Sequence, residues 1–414
     1  MKAIAVYQHL ATDNPDCFAK VELDKLQATG KDLLVRVKAV AVNPVDTKVR
    51  ASIKEKLSAP KILGWDGAGI VEEVGEDTSL FQVGDEVFYA GSITRPGCNS
   101  EYQLVDERIV GRKPSNLSFA EAAALPLTAI TAWEALFERL GIEPDRTEPN
   151  KQSTLLIING AGGVGSIAIQ LAKQVAGLQV VATASRGDTV RWCRQLGADN
   201  CINHYHEFLP ALKAIDIEAV DYILCLNDTD SHWQSMAQVI RPQGKICSLV
   251  GNRQPLDLNL LKSKSVTFAW EFMFSDVLQT PIATQYGAGF PRLATRYSWL
   301  FLVSKFFTHY LDMKESYPRR SDCPGSFHSP ASHEQSSKSR LATLACFAGC
   351  GTAFKMIPSY GKHFTQLPSP RLELFLSCNP ICLIFKVLAS FRFLFIRSSV
   401  ASDPLIRSNV LYNA

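Results

Sequence analysis

Residues 154 to 173, TLLIINGAGGVGSIAIQLAK, constrain the fold more than any other part of this chain. A short apolar run at 155 to 158 meets Gly160-Ala161-Gly162-Gly163-Val164-Gly165, and apolar residues then recur at helical spacing from 166 to 175. A covered strand, a tight turn and an amphipathic helix in that order open a βαβ unit. Three further runs, at 180 to 184, 222 to 226 and 246 to 250, are apolar enough to be strands covered on both faces. Such strands alternating with helices predict a doubly wound parallel sheet with its ligand crevice at the carboxyl ends of the strands.

In that setting the glycines have separate duties. Gly160 permits the turn, Gly162 leaves room for the backbone to approach a pyrophosphate, and Gly165 lets the helix pack close to the sheet. Together with Gly163 and Val164 they expose unpaired N–H groups at the positive end of the helix, which favours phosphate. The plainer alternative is a βα turn with no ligand. About 20 residues beyond the loop, an NAD site carries Asp or Glu for the ribose hydroxyls. This chain has Ala184-Ser185-Arg186 there. A hydroxyl and a guanidinium suit a 2′-phosphate, so NADPH is expected rather than NADH, with an ordinary surface arginine as the alternative for Arg186.

The first 115 residues or so have a different texture. Residues 31 to 42 alternate charged and apolar side chains, and β-type runs follow at 69 to 74 and 85 to 89, punctuated by Val83-Gly84-Asp85. Residues 1 to 7 read as an edge strand, too brief for a secretory segment. Ser118 and Glu121 have capping-box spacing, which starts a helix, and a second helix is expected over 128 to 140.

A chain of 414 residues exceeds the usual size of a single core, so two domains are the default. Eleven cysteines, with no C-x-x-C pair, support neither a zinc ribbon nor an oxidised framework, and a reducing, cytosolic setting is expected. Residues 1 to 281 hold 28 Lys/Arg against 34 Asp/Glu, which argues against a nucleic-acid face. Residues 282 to 414 hold 15 against 6 and are Ser-, Pro-, Arg- and Phe-rich without periodicity. The run ICLIFKVLASFRFLFI is shorter than the roughly 20 residues a span needs and carries Lys386 and Arg392, so membrane association of this tail is not expected.

Several collinear stretches resemble the medium-chain dehydrogenase/reductase superfamily in its zinc-free quinone-oxidoreductase-like branch, with the zinc-type alcohol dehydrogenase-like subgroup nearest. They are AVAVNPVDTKVR (39 to 50), LGWDGAGIVEEVG (63 to 75), FQVGDEVFYAG (81 to 91), SFAEAAALPLTAITAWEALFE (118 to 138), the glycine loop, VVATASR (180 to 186) and IRPQGKICSLV (240 to 250). The resemblance implies a GroES-like β-rich catalytic domain over 1–125, a Rossmann domain over 126–275, and an atypical tail over 276–414. In zinc alcohol dehydrogenases a Cys stands at the position of Asn43, and Gly-His-Glu at that of Gly64-Trp65-Asp66. Asn and Trp lack the thiolate and imidazole that zinc prefers, and only Cys98 remains in the region of the structural-zinc lobe, so no metal is expected.

What the resemblance implies is hydride transfer from NADPH to a quinone or an α,β-unsaturated carbonyl, with hydrogen-bond donors stabilising the oxyanion. Asn43, Asp46 and Lys48 would line the cleft, Lys48 donating either to that oxyanion or to a cofactor phosphate. Asn43-Pro44 is also a good turn, and Asp46 could cap a helix. Thr128 would face the cofactor or cap its helix, Val250 and Gly251 would lie beside the nicotinamide, and Trp65 would pack or touch substrate. His204 and His206 are expected in a surface loop. Expected partners are a small carbonyl or quinone, with no nucleic acid, and at most a second copy of the chain. Rival readings are a non-catalytic NADPH-binding protein and a zinc alcohol dehydrogenase. Beyond 281 the resemblance ends, and the tail reads either as a frame-altered product, which would impair activity, or as a lineage-specific extension.

Overall fold

The computed structural model describes residues 1–144 and 152–275. The expectations for the tail lie outside the described residues. Six strands form a parallel sheet in the order β11-β10-β9-β12-β13-β14. These are β9 (Thr154–Ile158), β10 (Gln179–Thr183), β11 (Asn200–Ile202), β12 (Val220–Cys225), β13 (Ile240–Ser248) and β14 (Thr267–Trp270). The chain winds outward one way through β9, β10 and β11, then returns to start again at β12. The switch point therefore falls between β9 and β12, and its carboxyl-end side is where open α/β sheets take their ligands. Every side chain of β9 is buried, as a central strand with helices on both faces requires.

The N-terminal part carries two antiparallel sheets. One has the order β7-β3-β5-β6-β8, built from β3 (Asp32–Ala41), β5 (Asp66–Val74), β6 (Glu86–Ala90), β7 (Tyr102–Asp106) and β8 (Val110–Arg112). The alternation in β3 breaks at Leu33, Leu34 and Val35, all buried, because its register with β5 shifts between Leu34 and Val35. The other sheet corrects the expectation of an N-terminal edge strand. β1 (Lys2–Val6) is its centre, flanked by β2 (Ala19–Glu22) and the two-residue β4 (Lys61–Ile62), and Ala3 to Val6 are all buried.

Helix boundaries also differ from expectation. Helices α1 (Pro44–Ser52) and α2 (Phe119–Ala123) precede α3 (Pro126–Trp133), which starts ahead of Thr128 because Pro126 supplies a preset backbone at the first helical position. It does not continue as one α-helix to 140: residues Glu134–Arg139 form a π-helical turn. The helix after the glycine loop, α4, spans Gly163–Gln174, so it begins within the glycines, with Gly162 as its cap. Helix α5 is Gly187–Gln195, α6 Phe208–Lys213, α7 Thr229–Val239 and α8 Asn259–Lys262.

α3 ties the two halves together. Leu127 and Ile130 join a core with Trp65, Phe88, Leu117 and, from the far end of the described chain, Met273 and Phe274. Ala129, Ala132 and Trp133 join a second core with α4, β9 and β10. The expected boundary at 125/126 falls on the N-cap residue of this shared helix. Among the described residues no helix is long and apolar enough to cross a membrane.

Candidate active site

The glycine loop sits at the switch point, and its geometry revises the role of its first glycine. The residue that turns the chain into left-handed space is Asn159, at φ 66°. Its backbone N–H donates to Thr183 Oγ1 at 2.9 Å, and the N–H of Gly160 donates to the Thr183 carbonyl at 3.1 Å, pinning the loop to the end of β10. Gly160 is needed for space: a Cβ there would lie 2.7 Å from Ala182 Cβ and 3.3 Å from Cys193 Sγ. At Gly165 a Cβ would fall 2.6 Å from the carbonyl oxygens of both Asn159 and Gly160, so the close approach expected of the third glycine is present. Gly163 and Val164 form the first turn of α4, where N–H groups have no intrahelical partner.

Ser185 and Arg186 follow the end of β10, next to the loop. Arg186 caps α5, its N–H donating to Thr189 Oγ1 at 3.2 Å, and its guanidinium pairs with Asp188 at 3.5 Å. His204 lies in the loop expected after β11, half-buried, and its Nδ1 lies 3.3 Å from the same Thr183 hydroxyl. His206 is exposed. On the other side of the switch point, Val250 lies just past β13, and its carbonyl accepts from the Thr229 hydroxyl at the start of α7. At Gly251 a Cβ would meet nothing, so the backbone is open to an approaching ligand.

The second part of the site lies where β5 begins. Gly64, at φ +92°, turns Trp65 into the core, where it is fully buried and meets Phe274 edge-on. That is the packing role for Trp65. The next residue, Asp66, is fully buried and joins three elements. Its Oδ2 accepts from Asn43 Nδ2 at 2.8 Å, its Oδ1 accepts from the Leu127 N–H at the start of α3 at 2.8 Å, and its carbonyl accepts from the Cys98 thiol at 3.3 Å. Asn43 caps α1, and its own N–H donates to Asp46 Oδ2 at 2.6 Å, the capping role foreseen for Asp46.

Burial dominates the electrostatics here. It pushes Asp66 up to about 8, opposed by the donors Asn43 and Leu127 and reinforced by the charge of Asp46. It pushes Asp46 to about 6, against N–H donors from Asn43 and Gly64. Two of the three expected catalytic residues, Asn43 and Asp46, are therefore brought together with Asp66. Lys48 is not part of that network and stands exposed on α1. Thr128 does not cap its helix; its hydroxyl donates to the carbonyl of Leu125 at 3.0 Å. The organising role of Asp66 was missed, although a carboxylate between Trp65 and Gly67 in an apolar stretch was the available signal.

The donor set does not suit zinc. Asn43 is a neutral amide, Trp65 is an indole packed in the core, both Asp66 oxygens already accept hydrogen bonds, and burial holds the Cys98 thiol well above its usual value. Among the described residues no group of three or more His, Cys, Asp or Glu is placed to hold a metal. The crevice does suit a nicotinamide dinucleotide: an open glycine turn leads into a twelve-residue helix at a switch point.

Comparison with known proteins agrees with this architecture. The family model described as alcohol dehydrogenase GroES-like domain matches residues 29–131, and that described as zinc-binding dehydrogenase matches 163–280. A zinc-type alcohol dehydrogenase-like protein of Staphylococcus epidermidis is 48% identical over 275 residues, 66% of this chain and 81% of the relative. An NADPH-dependent alkenal/one oxidoreductase of Arabidopsis thaliana is 35% identical over 54% of this chain and 56% of its own length. Among solved structures, a Rhizobium etli CFN 42 protein described as a candidate zinc-dependent alcohol dehydrogenase superposes with a TM-score of 0.68 at 43% identity, covering 75% of this chain and 87% of that one. The Escherichia coli quinone oxidoreductase complexed with NADPH does so at 0.57 and 25% identity, covering 69% and 89%.

Proposed function

Since the chain belongs to the medium-chain dehydrogenase/reductase superfamily, in its quinone-oxidoreductase-like branch, we propose that it is a cytosolic, NADPH-dependent, zinc-independent reductase of quinones or α,β-unsaturated carbonyls. The observation that carries this reading is the Asn43–Asp66 hydrogen bond, which fills with an amide and a committed carboxylate the place where metal ligands would stand. The reduced nicotinamide supplies a hydride when bound. The glycine loop and the first turn of α4 hold the pyrophosphate, and Ser185 with Arg186 receive the 2′-phosphate. Asp66 fixes Asn43 and the start of α3, and so sets the cleft wall. Lys48, exposed on α1, is the cation that can donate to the oxyanion formed on the substrate or to a cofactor phosphate.

The purified chain, given NADPH or NADH with a panel of quinones and enones, should oxidise NADPH with at least one of them and carry no stoichiometric zinc. Cofactor binding without oxidation would favour a non-catalytic NADPH-binding protein. Bound zinc with alcohol oxidation would overturn the metal-free reading.

The Arg186–Asp188 pair is partly exposed, and such pairs hold with about 1 kcal/mol or less. A dianionic phosphate competes well for that guanidinium. Arg186→Ala should raise KM for NADPH about tenfold while leaving KM for NADH within about twofold. Equal changes for both cofactors would remove Arg186 from the phosphate site.

A further inference from the structure

The segment just past β13 is fastened by the start of α7. Asp228 bends the chain through left-handed space at φ 42°, and Thr229 follows, fully buried, as the first residue of the helix. Its hydroxyl donates to the Val250 carbonyl, which leaves its oxygen to accept from the Ser248 hydroxyl at 2.6 Å. Ser248 is itself fixed, fully buried at the end of β13 and in register with Cys225 of β12 and Trp270 of β14. On either side of Thr229, Asp228 Oδ1 accepts from the Arg253 guanidinium at 3.2 Å, and the Asp230 carboxylate accepts from the N–H groups of Arg253 at 2.9 Å and Gln254 at 3.0 Å. Three successive side chains thus hold residues 250 to 254, and of the three only Thr229 does so from the buried interior.

We propose that Thr229 is a positioning residue for the nicotinamide: with Ser248 behind it, its hydroxyl aims the Val250 carbonyl at the carboxamide. This rests on the reading of the chain as a nicotinamide-dependent reductase. Val250 follows β13 on the side of the switch point where open α/β sheets take their ligands, and next to it Gly251 leaves the backbone open. A carbonyl oxygen accepts two hydrogen bonds. The Thr229 hydroxyl takes one of them, and so fixes the direction in which the other is offered. The carboxamide carries the only N–H groups on the nicotinamide ring, so an acceptor of fixed direction sets how the ring is turned and where its hydride-bearing carbon faces. Hydroxyls linked in a buried chain hold their geometry more tightly than a single exposed one. The left-handed bend at Asp228 is the strain that brings Thr229 beneath Val250. The adenosine half is held elsewhere, at the glycine loop and at Ser185 and Arg186, so Thr229 acts on one half of the cofactor.

The test titrates the full-length protein with two ligands: NADPH, and adenosine 2′,5′-bisphosphate, which keeps the adenine half and the 2′-phosphate but has no nicotinamide. Thr229→Val keeps the shape of the side chain and removes the hydroxyl. It should weaken NADPH about tenfold and leave the bisphosphate within about twofold. Turnover with a quinone or enone should fall about tenfold as well, because the ring is no longer held in one orientation. Thr229→Ser returns the hydroxyl and should restore both quantities to within about threefold. Ser248→Ala leaves the Thr229 hydroxyl without its fixed neighbour, and should weaken NADPH alone by about threefold. Equal weakening of both ligands in Thr229→Val would make Thr229 a structural residue only and overturn the proposal. So would unchanged NADPH affinity in Thr229→Val and Ser248→Ala, or Thr229→Ser as weak as Thr229→Val. Wild-type protein that binds neither ligand would bring down the cofactor reading and this inference with it. Wild-type protein that binds both equally tightly would keep the cofactor reading and overturn this inference alone, since the nicotinamide would then add nothing to binding.

Discussion

Replacing Gly165 with alanine is expected to lower NADPH affinity at least about a hundredfold, since displacing a binding or reacting group by about 1 Å has effects of that order. The new methyl would sit 2.6 Å from two carbonyl oxygens and 2.8 Å from the Gly160 carbonyl carbon. These are backbone atoms on the inside of the turn, so relief requires the loop or the first turn of α4 to move. Overpacking of this kind costs about 1–3 kcal/mol, and Tm should fall by about 5 °C or more. Gly251→Ala is the control. Its methyl would meet nothing in the protein, so Tm should stay unchanged, and any lost affinity reports the ligand alone. Normal NADPH titration of Gly165→Ala would show that the glycine loop does not seat the cofactor.

The parallel sheet was legible because its signals are local. An apolar run, glycines and a helical repeat lie within about 20 contiguous residues, and the same rhythm recurs down the chain. The glycine loop was legible as a unit, but not each glycine's duty. Gly160 is constrained by Ala182 and Cys193, which come from later elements, whereas the left-handed turn belongs to Asn159. The N-terminal strand was misplaced for a similar reason. Its second neighbour is the two-residue β4, whose pairing comes from tertiary contact and leaves no periodicity to read. In the site, Asn43 and Asp46 were recoverable, being three residues apart at a helix start. Asp66 needed Leu127, and nothing in either residue's surroundings announces the other.

Asp66→Ala should cost about 3–5 kcal/mol of stability, because it strands two buried donors, the Leu127 N–H and Asn43 Nδ2, and leaves a void. Reductase activity should fall with it, since α3 and Asn43 lose their common anchor. Asp66→Asn keeps the volume and removes the titration, so it isolates the charge. Burial holds the folded-state value near 8 against 3.8 ordinarily, so the folded chain binds this proton more tightly than the unfolded chain. The group's contribution to stability is then fully present below about pH 4 and is lost as pH rises through 8. Asp46 acts with the same sign up to about 6, and Glu271, which burial and Glu134 push to about 9, extends it further. Wild-type Tm carries all three slopes, whereas Asp66→Asn lacks one of them. The stability difference in favour of the wild type should therefore narrow steadily between pH 4 and 8, as measured by thermal unfolding of both proteins across that range. Parallel profiles would mean that Asp66 is ionised in the folded protein throughout, and the cluster would then be a charged anchor for α3 in place of a proton-holding one.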